Sequence, residues 1–237
     1  HHTLFIRARR GEYDVWLAAD YEVLKKETEK EKSLHGNTFE PLDISAFFNC
    51  KMTEVHNKEY LSPRPKGYSI GVFPNGRYAW EWNHCGHNKV HIDDSSLRAA
   101  NGLIHTSSGI PFITPSENEN MACVSLWDNF PTEITIPLSG NARELAVLFA
   151  ATTNAMQTQV ENARITVEYE DGTVEAAKLV YPINIDDWLV PAFQKENETF
   201  YFSKYNHAIV QRIRLNPAKK LAKVKIEDET TDVICEE

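Results

Sequence analysis

The sequence lacks most of what a membrane, a nucleic acid or a nucleotide would require. No apolar run approaches the roughly 18 residues that cross a bilayer as a helix, so no membrane insertion is expected. Basic residues are the minority, 25 Lys and Arg against 34 Asp and Glu, for a formal charge of −9. That balance leaves no basic face for a phosphate backbone, and nucleic acid is not an expected partner. Glycines number only 10, with no Gly-rich phosphate loop, and no cofactor is expected. G-x-S-x-G is absent too, and no Ser, His and acid grouping stands out for nucleophilic catalysis. The four cysteines, Cys50, Cys85, Cys123 and Cys235, include no C-x-x-C. They read as free, mostly buried thiols, with one or two bridges open in an oxidising compartment. No export signal is read at the start of the chain, where His1-His2 resembles the remnant of a tag.

What is present is a folded, strand-rich composition. Apolar residues make up 42% and charged residues 25%, too apolar for a disordered chain. Period-two alternation dominates. Tyr13, Val15, Leu17, Ala19, Tyr21 and Val23 alternate with residues that include Asp14, Asp20 and Glu22, and Leu4 to Ala8 reads as the hairpin partner. The lysine-glutamate run over 25–32 reads as a solvated turn or edge. Asn75-Gly76 and Asp171-Gly172 mark two further hairpins, the first between strands at 67–73 and 77–82, the second within 164–180. Strands are also expected at 122–127, 133–138, 143–152, 199–205, 209–215 and 221–226, and one short helix at 94–101. The expected fold is therefore all-β: an antiparallel β-sandwich of jelly-roll type with one short helix. Residues 1–40 form an N-terminal β-hairpin extension in this reading, and residues 41–237 form the sandwich.

Three constellations carry chemical interest. His84, Cys85, His87 and His91, with Asp93 and Asp94 following, supply ligand types that zinc accepts. Gly86 and the alternation at 90–92 make this a loop entering a strand, so the preferred reading is a polar loop with one buried thiol and no metal. For glycoside hydrolysis, two carboxylates must face each other across roughly 5 to 9.5 Å. Asp93, Asp94, Asp128, Glu133, Asp186 and Asp187 are the candidates, and most acids of an acidic chain are solvated surface. The third is Trp127-Asp128-Asn129 at the end of an apolar stretch. A flat ring beside a carboxylate and an amide suits a sugar, whose C–H face stacks while its hydroxyls are hydrogen-bonded. The same logic extends to Asp186-Asp187-Trp188, to Asn154 with Gln157, and to Trp82 on the strand that also carries Tyr78 and Trp80. The competing reading is a Trp capping the core beside a tight turn shaped by Asp and Asn.

Several stretches also carry a family likeness: YLSPRP (60–65), DDSSLR (93–98), GIPFITP (109–115), SLWDNFPTEITIPLSG (125–140), TTNAMQ (152–157) and VEYEDGT (167–173). Together they resemble the C-terminal β-sandwich of a family of secreted gut-bacterial proteins of unknown function. There the sandwich follows a helical domain that resembles six-hairpin glycosidases. More distantly, the Gly109-Ile110-Pro111-Phe112 phrase, the hairpin around Asp171-Gly172 and the closing strand at 221–226 are similar to galactose-binding-like jelly rolls attached to glycoside hydrolases. The resemblance implies a carbohydrate-associated accessory domain, periplasmic or extracellular. It supplies no catalytic residues. One departure is the stretch from Arg77 to Cys85, where Tyr78, Trp80 and Trp82 stand in place of a Gly-rich strand ending in one Trp before Cys.

Three functional readings follow. The first is a non-catalytic module binding glycan through Trp127, Asp128, Asn129, Trp82, Asn154 and Gln157. The second is a structural domain docking on a helical glycosidase-like domain. The third, least favoured, is a glycan-active hydrolase or lyase, which needs converging carboxylates or a metal at His84, His87 and His91.

Overall fold

The computed structural model describes residues 3–10, 13–20, 38–57, 92–126, 130–151, 159–185, 188, 197–204 and 206–229. The chain divides into two units, His1–Glu40 and Pro41–Glu237. In the first, β1 (Thr3–Arg10) and β2 (Tyr13–Asp20) pair antiparallel. Their register sets Leu4 opposite Ala19, Ile6 opposite Leu17 and Ala8 opposite Val15, with Phe5 opposite Ala18 and Arg7 opposite Trp16 at the alternate positions.

The second unit is built from antiparallel strands and, among the described residues, one α-helix, α1 (Ser95–Ala99). Two 3₁₀ turns, Ser45–Phe47 and Met52–Asn57, precede it. β3 (Gly102–His105) and β4 (Pro111–Thr114) form a two-stranded ribbon. β5 (Glu133–Pro137), β7 (Glu161–Tyr169), β8 (Val174–Val180) and β11 (Leu221–Asp228) make a four-stranded sheet in the order β5-β11-β7-β8. β6 (Glu144–Phe149), β9 (Glu198–Tyr201) and β10 (His207–Arg214) make a three-stranded sheet in the order β6-β10-β9.

The two larger sheets share one core, which gives the unit its sandwich-like character. Ile134, Ile136, Ile165, Val167, Tyr169, Leu179 and Val224 point inward from the four-stranded sheet and meet Ile213, with Leu145, Val147 and Phe149, from the three-stranded one. Each fully buried Ile or Val contributes about 1.5–3 kcal/mol. The outward positions alternate with these and are charged. Lys223 pairs with Glu168 (3.0 Å), Lys178 with Glu161 (3.0 Å) and Lys225 with Glu133 (3.6 Å), so this sheet keeps one solvated face.

The three-stranded sheet is covered on both faces. Ala208, Leu148, Ala150, Phe200 and Phe202 belong to a second core with Val55 of the second 3₁₀ turn, Leu97 of α1, Ile104 of β3, and Cys50, Ile92, Phe130 and Trp188 from outside these elements. Double coverage explains why β10 opens with four consecutive buried residues, His207 to Val210, in place of alternation.

Several expected elements shift. The helix is one turn shorter than 94–101. Asp94 precedes it but makes no side-chain capping bond, because its carboxylate is held by Arg98 Nε (2.9 Å). The expected strand at 122–127 is absent over its described part. Just before it, Cys50 and Met121 form an isolated bridge, and within it the Asn49 side chain bonds both the N–H (2.8 Å) and the carbonyl (2.9 Å) of Cys123, standing in for a strand neighbour. β3 and β4 were not expected at all. The strands at 67–73 and 77–82 lie outside the described residues.

Candidate functional site

Strand pairing gives the sandwich two unlike ends. At one, β5 leads to β6 through 138–143, β7 to β8 through 170–173 and β10 to β11 through 215–220. These connections are stitched together: Leu221 N–H donates to the Gly140 carbonyl (2.8 Å), Leu215 N–H to Arg143 (2.9 Å) and Glu170 N–H to Lys220 (2.9 Å). Asn141 Nδ2 adds bonds to the carbonyls of Pro217 (3.1 Å) and Lys219 (2.8 Å). This is the turn end.

The opposite end carries the long connections. Glu227 of β11 faces Glu133 on one side and Arg164 on the other, and Glu161 of β7 faces Val180 of β8. The chain entering β5 from 126–132, entering β7 from 150–160 and leaving β8 into 181–197 is therefore gathered at one edge of the sheet. The entrance to β10 lies at this end too, because β10 leaves toward β11 at the other. This is the loop end.

The expected ligand residues Trp127, Asp128, Asn129, Asn154, Gln157 and Trp82, and the candidate metal ligands His84, His87 and His91, lie outside the described residues. Their flanks are fixed. Ser125 N–H donates to the Pro131 carbonyl (2.9 Å), closing the chain across 126–130. Leu126 N–H is held by Asp228 Oδ2 (2.8 Å), and Phe130 is buried in the second core. Both flanks of 127–129 are thus pinned to the loop end. For Asn154 and Gln157, Ala151 packs against the first core and Gln159 N–H bonds the Tyr181 carbonyl (2.9 Å). The segments holding Trp127–Asn129 and Asn154–Gln157 accordingly leave and re-enter the sandwich at the same end.

Other candidates are placed directly. Trp188 is only 3% exposed and belongs to the second core, so it is packing and not a ligand surface. Asp94 is buried. Arg98 and Asn120 Nδ2 (2.8 Å) occupy its carboxylate, and the Arg98 guanidinium reaches on to the carbonyls of Ser116 (3.3 Å) and Asn118 (3.3 Å), tying α1 to the loop after β4. Asp93 is exposed and accepts the Ser95 N–H (3.1 Å); its hydrogen bonds to Ser95 keep its carboxyl below the ordinary value. Glu133 sits on the solvated face beside Lys225. Among the described residues, then, the candidate carboxylates do not converge on one point, and no group of three His, Cys, Asp or Glu could hold a metal ion. Asp128, Asp186 and Asp187 lie outside the described residues.

Some polar groupings were not foreseen from the sequence. Glu198, at the start of β9, accepts from Ser107 Oγ (2.5 Å), Ser108 N–H (3.2 Å) and Ser108 Oγ, fastening the loop of the β3–β4 ribbon to the three-stranded sheet. Burial works against its charge, but the donors of Ser107, Ser108 and Thr106 outweigh that and hold the carboxyl below its ordinary value. Gln211 Oε1, on the inner face of β10, accepts from Asn197 Nδ2 (3.0 Å) and Asn184 Nδ2 (3.3 Å), bringing 184 and 197 together although the chain between them is long. Asn206, only 1% exposed, receives the Asp93 N–H (3.0 Å) and Ser203 Oγ (2.8 Å), so the turn before β10 anchors the segment entering α1. No local signal in the sequence marks these pairings, which join Ser107 and Ser108 to Glu198 and Asp93 to Asn206 across 90 residues or more, and Asn184 and Asn197 to Gln211 over far fewer.

No protein-family model, curated protein or solved structure matches this chain.

Proposed function

We propose that the chain is a non-catalytic, carbohydrate-associated β-sandwich of jelly-roll, galactose-binding-like type. It binds glycan, or serves as the accessory domain of a glycoside hydrolase system, in the periplasm or outside the cell. The loop end is its working surface, with Trp127, Asp128 and Asn129 as the principal contacts and Trp82, Asn154 and Gln157 in support. One observation carries the reading: the segments bearing Trp127–Asn129 and Asn154–Gln157, far apart in sequence, are both inserted at the end where connections are long. Loops on a rigid sheet scaffold are where binding residues concentrate.

The second reading, docking on a helical glycosidase-like domain, draws support from exposed apolar residues at the same end, Leu126, Val160 and Ile183. The solvated outer face of the four-stranded sheet does not suit that role. A hydrolase or lyase is the weakest reading, because the described candidate acids are spoken for by Arg98, Lys225 and Ser95.

Native affinity gels containing soluble polysaccharides separate the readings. Glycan binding predicts retardation of the whole chain by at least one polysaccharide, relieved by Trp127→Ala. Docking predicts no retardation and concentration-dependent self-association. Release of reducing sugar that survives repurification would favour the enzyme.

A further inference from the structure

Tyr201 is the most exposed large hydrophobic side chain among the described residues, at 58%. It closes β9, the edge strand of the three-stranded sheet, at the loop end. Opposite it in the β9–β10 register stands His207, which is 1% exposed. The two rings lie 5.6 Å apart between centroids with their planes inclined by 43°. His207 is itself fixed, since its N–H donates to the Trp188 carbonyl (3.0 Å) and Trp188 is packed in the second core. The exposed ring thus rests on a buried ring that belongs to the rigid body of the sheet. An aromatic held this way has little rotamer freedom left to lose when something stacks on its free face.

We propose that Tyr201 is an aromatic platform for an uncharged pyranose unit, braced from behind by His207. This rests on the reading of the loop end as a glycan-binding surface and extends it to a residue that no sugar-like motif marks. A phenol ring offers an apolar face to sugar C–H groups and a hydroxyl at its rim for sugar hydroxyls. The net charge of −9 selects against uronate-rich or sulfated chains, so the ligand class is a neutral polysaccharide.

The test uses the whole chain in native gels containing galactomannan, xyloglucan, polygalacturonate or chondroitin sulfate, followed by titration calorimetry on whichever retards it. Retardation by a neutral polymer is expected, with Tyr201→Ala weakening affinity about fivefold or more and Tyr201→Phe staying within about twofold. Val174→Ser, at the turn end, should leave binding unchanged, and thermal melts of all variants check folding. Retardation only by the anionic polymers, or full affinity in a folded Tyr201→Ala variant while Trp127→Ala loses binding, overturns this proposal and leaves the glycan-binding reading standing. If no polymer retards the parent chain, both fall together.

Discussion

The turn end and the loop end of the sandwich close the same sheets by different means. At the turn end, side chains satisfy backbone groups over short connections. Tyr169, 1% exposed, accepts the Asn216 N–H on its hydroxyl (2.8 Å), and the Lys219 ammonium lies 5.6 Å from the centre of its ring. Lys219 also reaches Asp171 (2.8 Å) and Thr173 Oγ1 (2.6 Å), locking the β7–β8 hairpin to the β10–β11 connection. At the loop end the sheet supplies anchors, Asp228 for Leu126 and Tyr181 for Gln159, on the connections that enter β5 and β7. The contrast separates two jobs. One end uses its residues to close the fold, and the other fixes the flanks of the segments at 127–129 and 152–158.

If that division is right, the largest stability losses belong to the turn end and its core. Tyr169→Ala should cost about 4 kcal/mol, since it removes a large buried ring together with the acceptor for Asn216. Tyr169→Phe, which deletes only the hydroxyl, should cost about 1 kcal/mol. Urea midpoints measured at constant slope check both. At the loop end the matching experiment is Phe130→Ala, expected to cost about 3 kcal/mol because Phe130 is buried in the second core. Trp127→Ala should instead shift the midpoint by less than about 0.5 kcal/mol while weakening glycan affinity about tenfold. A Trp127→Ala loss as large as that of Phe130→Ala would mean that Trp127 is core, and the two ends would then differ in loop length alone.

How much of this was legible beforehand depends on whether a residue's partner is local. β7 and β8 could be read because Ile165, Val167 and Tyr169 alternate and Asp171-Gly172 sits between the strands. The starts of β5 and β11, Glu133 and Leu221, were legible too, whereas β5 ends one residue before and β11 two residues after the expected limit. β3 and β4 were not, since Gly102–His105 and Pro111–Thr114 are too short to show a period and are defined by pairing with each other. The second core was invisible: nothing near Trp188 in sequence reveals that Cys50, Leu97 and Phe130 will surround it, so a Trp beside two Asp looked like a sugar contact. Asp94 misled for a different reason, because Arg98, one helical turn on, and Asn120, beyond β4, already engage its carboxylate. Of the proposed site, the sequence marks the tryptophan- and amide-bearing segments, while the shared end of their described flanks follows only from the order β5-β11-β7-β8.

A smaller effect tests the turn end without touching the core. Gly172 has φ of +80°, and no atom lies within 4 Å of where a Cβ would stand. Any cost of Gly172→Ala is therefore backbone strain in the left-handed region, about 1 kcal/mol, with Gly172→Asn costing less because Asn tolerates that region. Equal losses for the two variants would point to some cause other than φ.

The smallest effects concern acid, and they distinguish the turn end from the joint that Glu198 makes with the β3–β4 ribbon. Asp171 and Glu198 both have carboxyls held below their ordinary values, Asp171 by Lys219 first and then Thr173, Glu198 by its serine donors against the opposing effect of burial. A carboxyl depressed in the folded state stabilises it fully above the unfolded value, about 4, and that contribution is lost as pH falls through the folded value. The two should differ in weight. Asp171 is exposed, where screening leaves an ion pair little to contribute, whereas Glu198 is partly buried among donors that would be left without an acceptor. Urea midpoints between pH 7 and pH 3 should therefore fall less steeply for Glu198→Gln than for the parent chain, while Asp171→Asn follows the parent closely. A flatter acid limb in Asp171→Asn than in Glu198→Gln would reverse the ranking and move the acid-sensitive joint to the turn end.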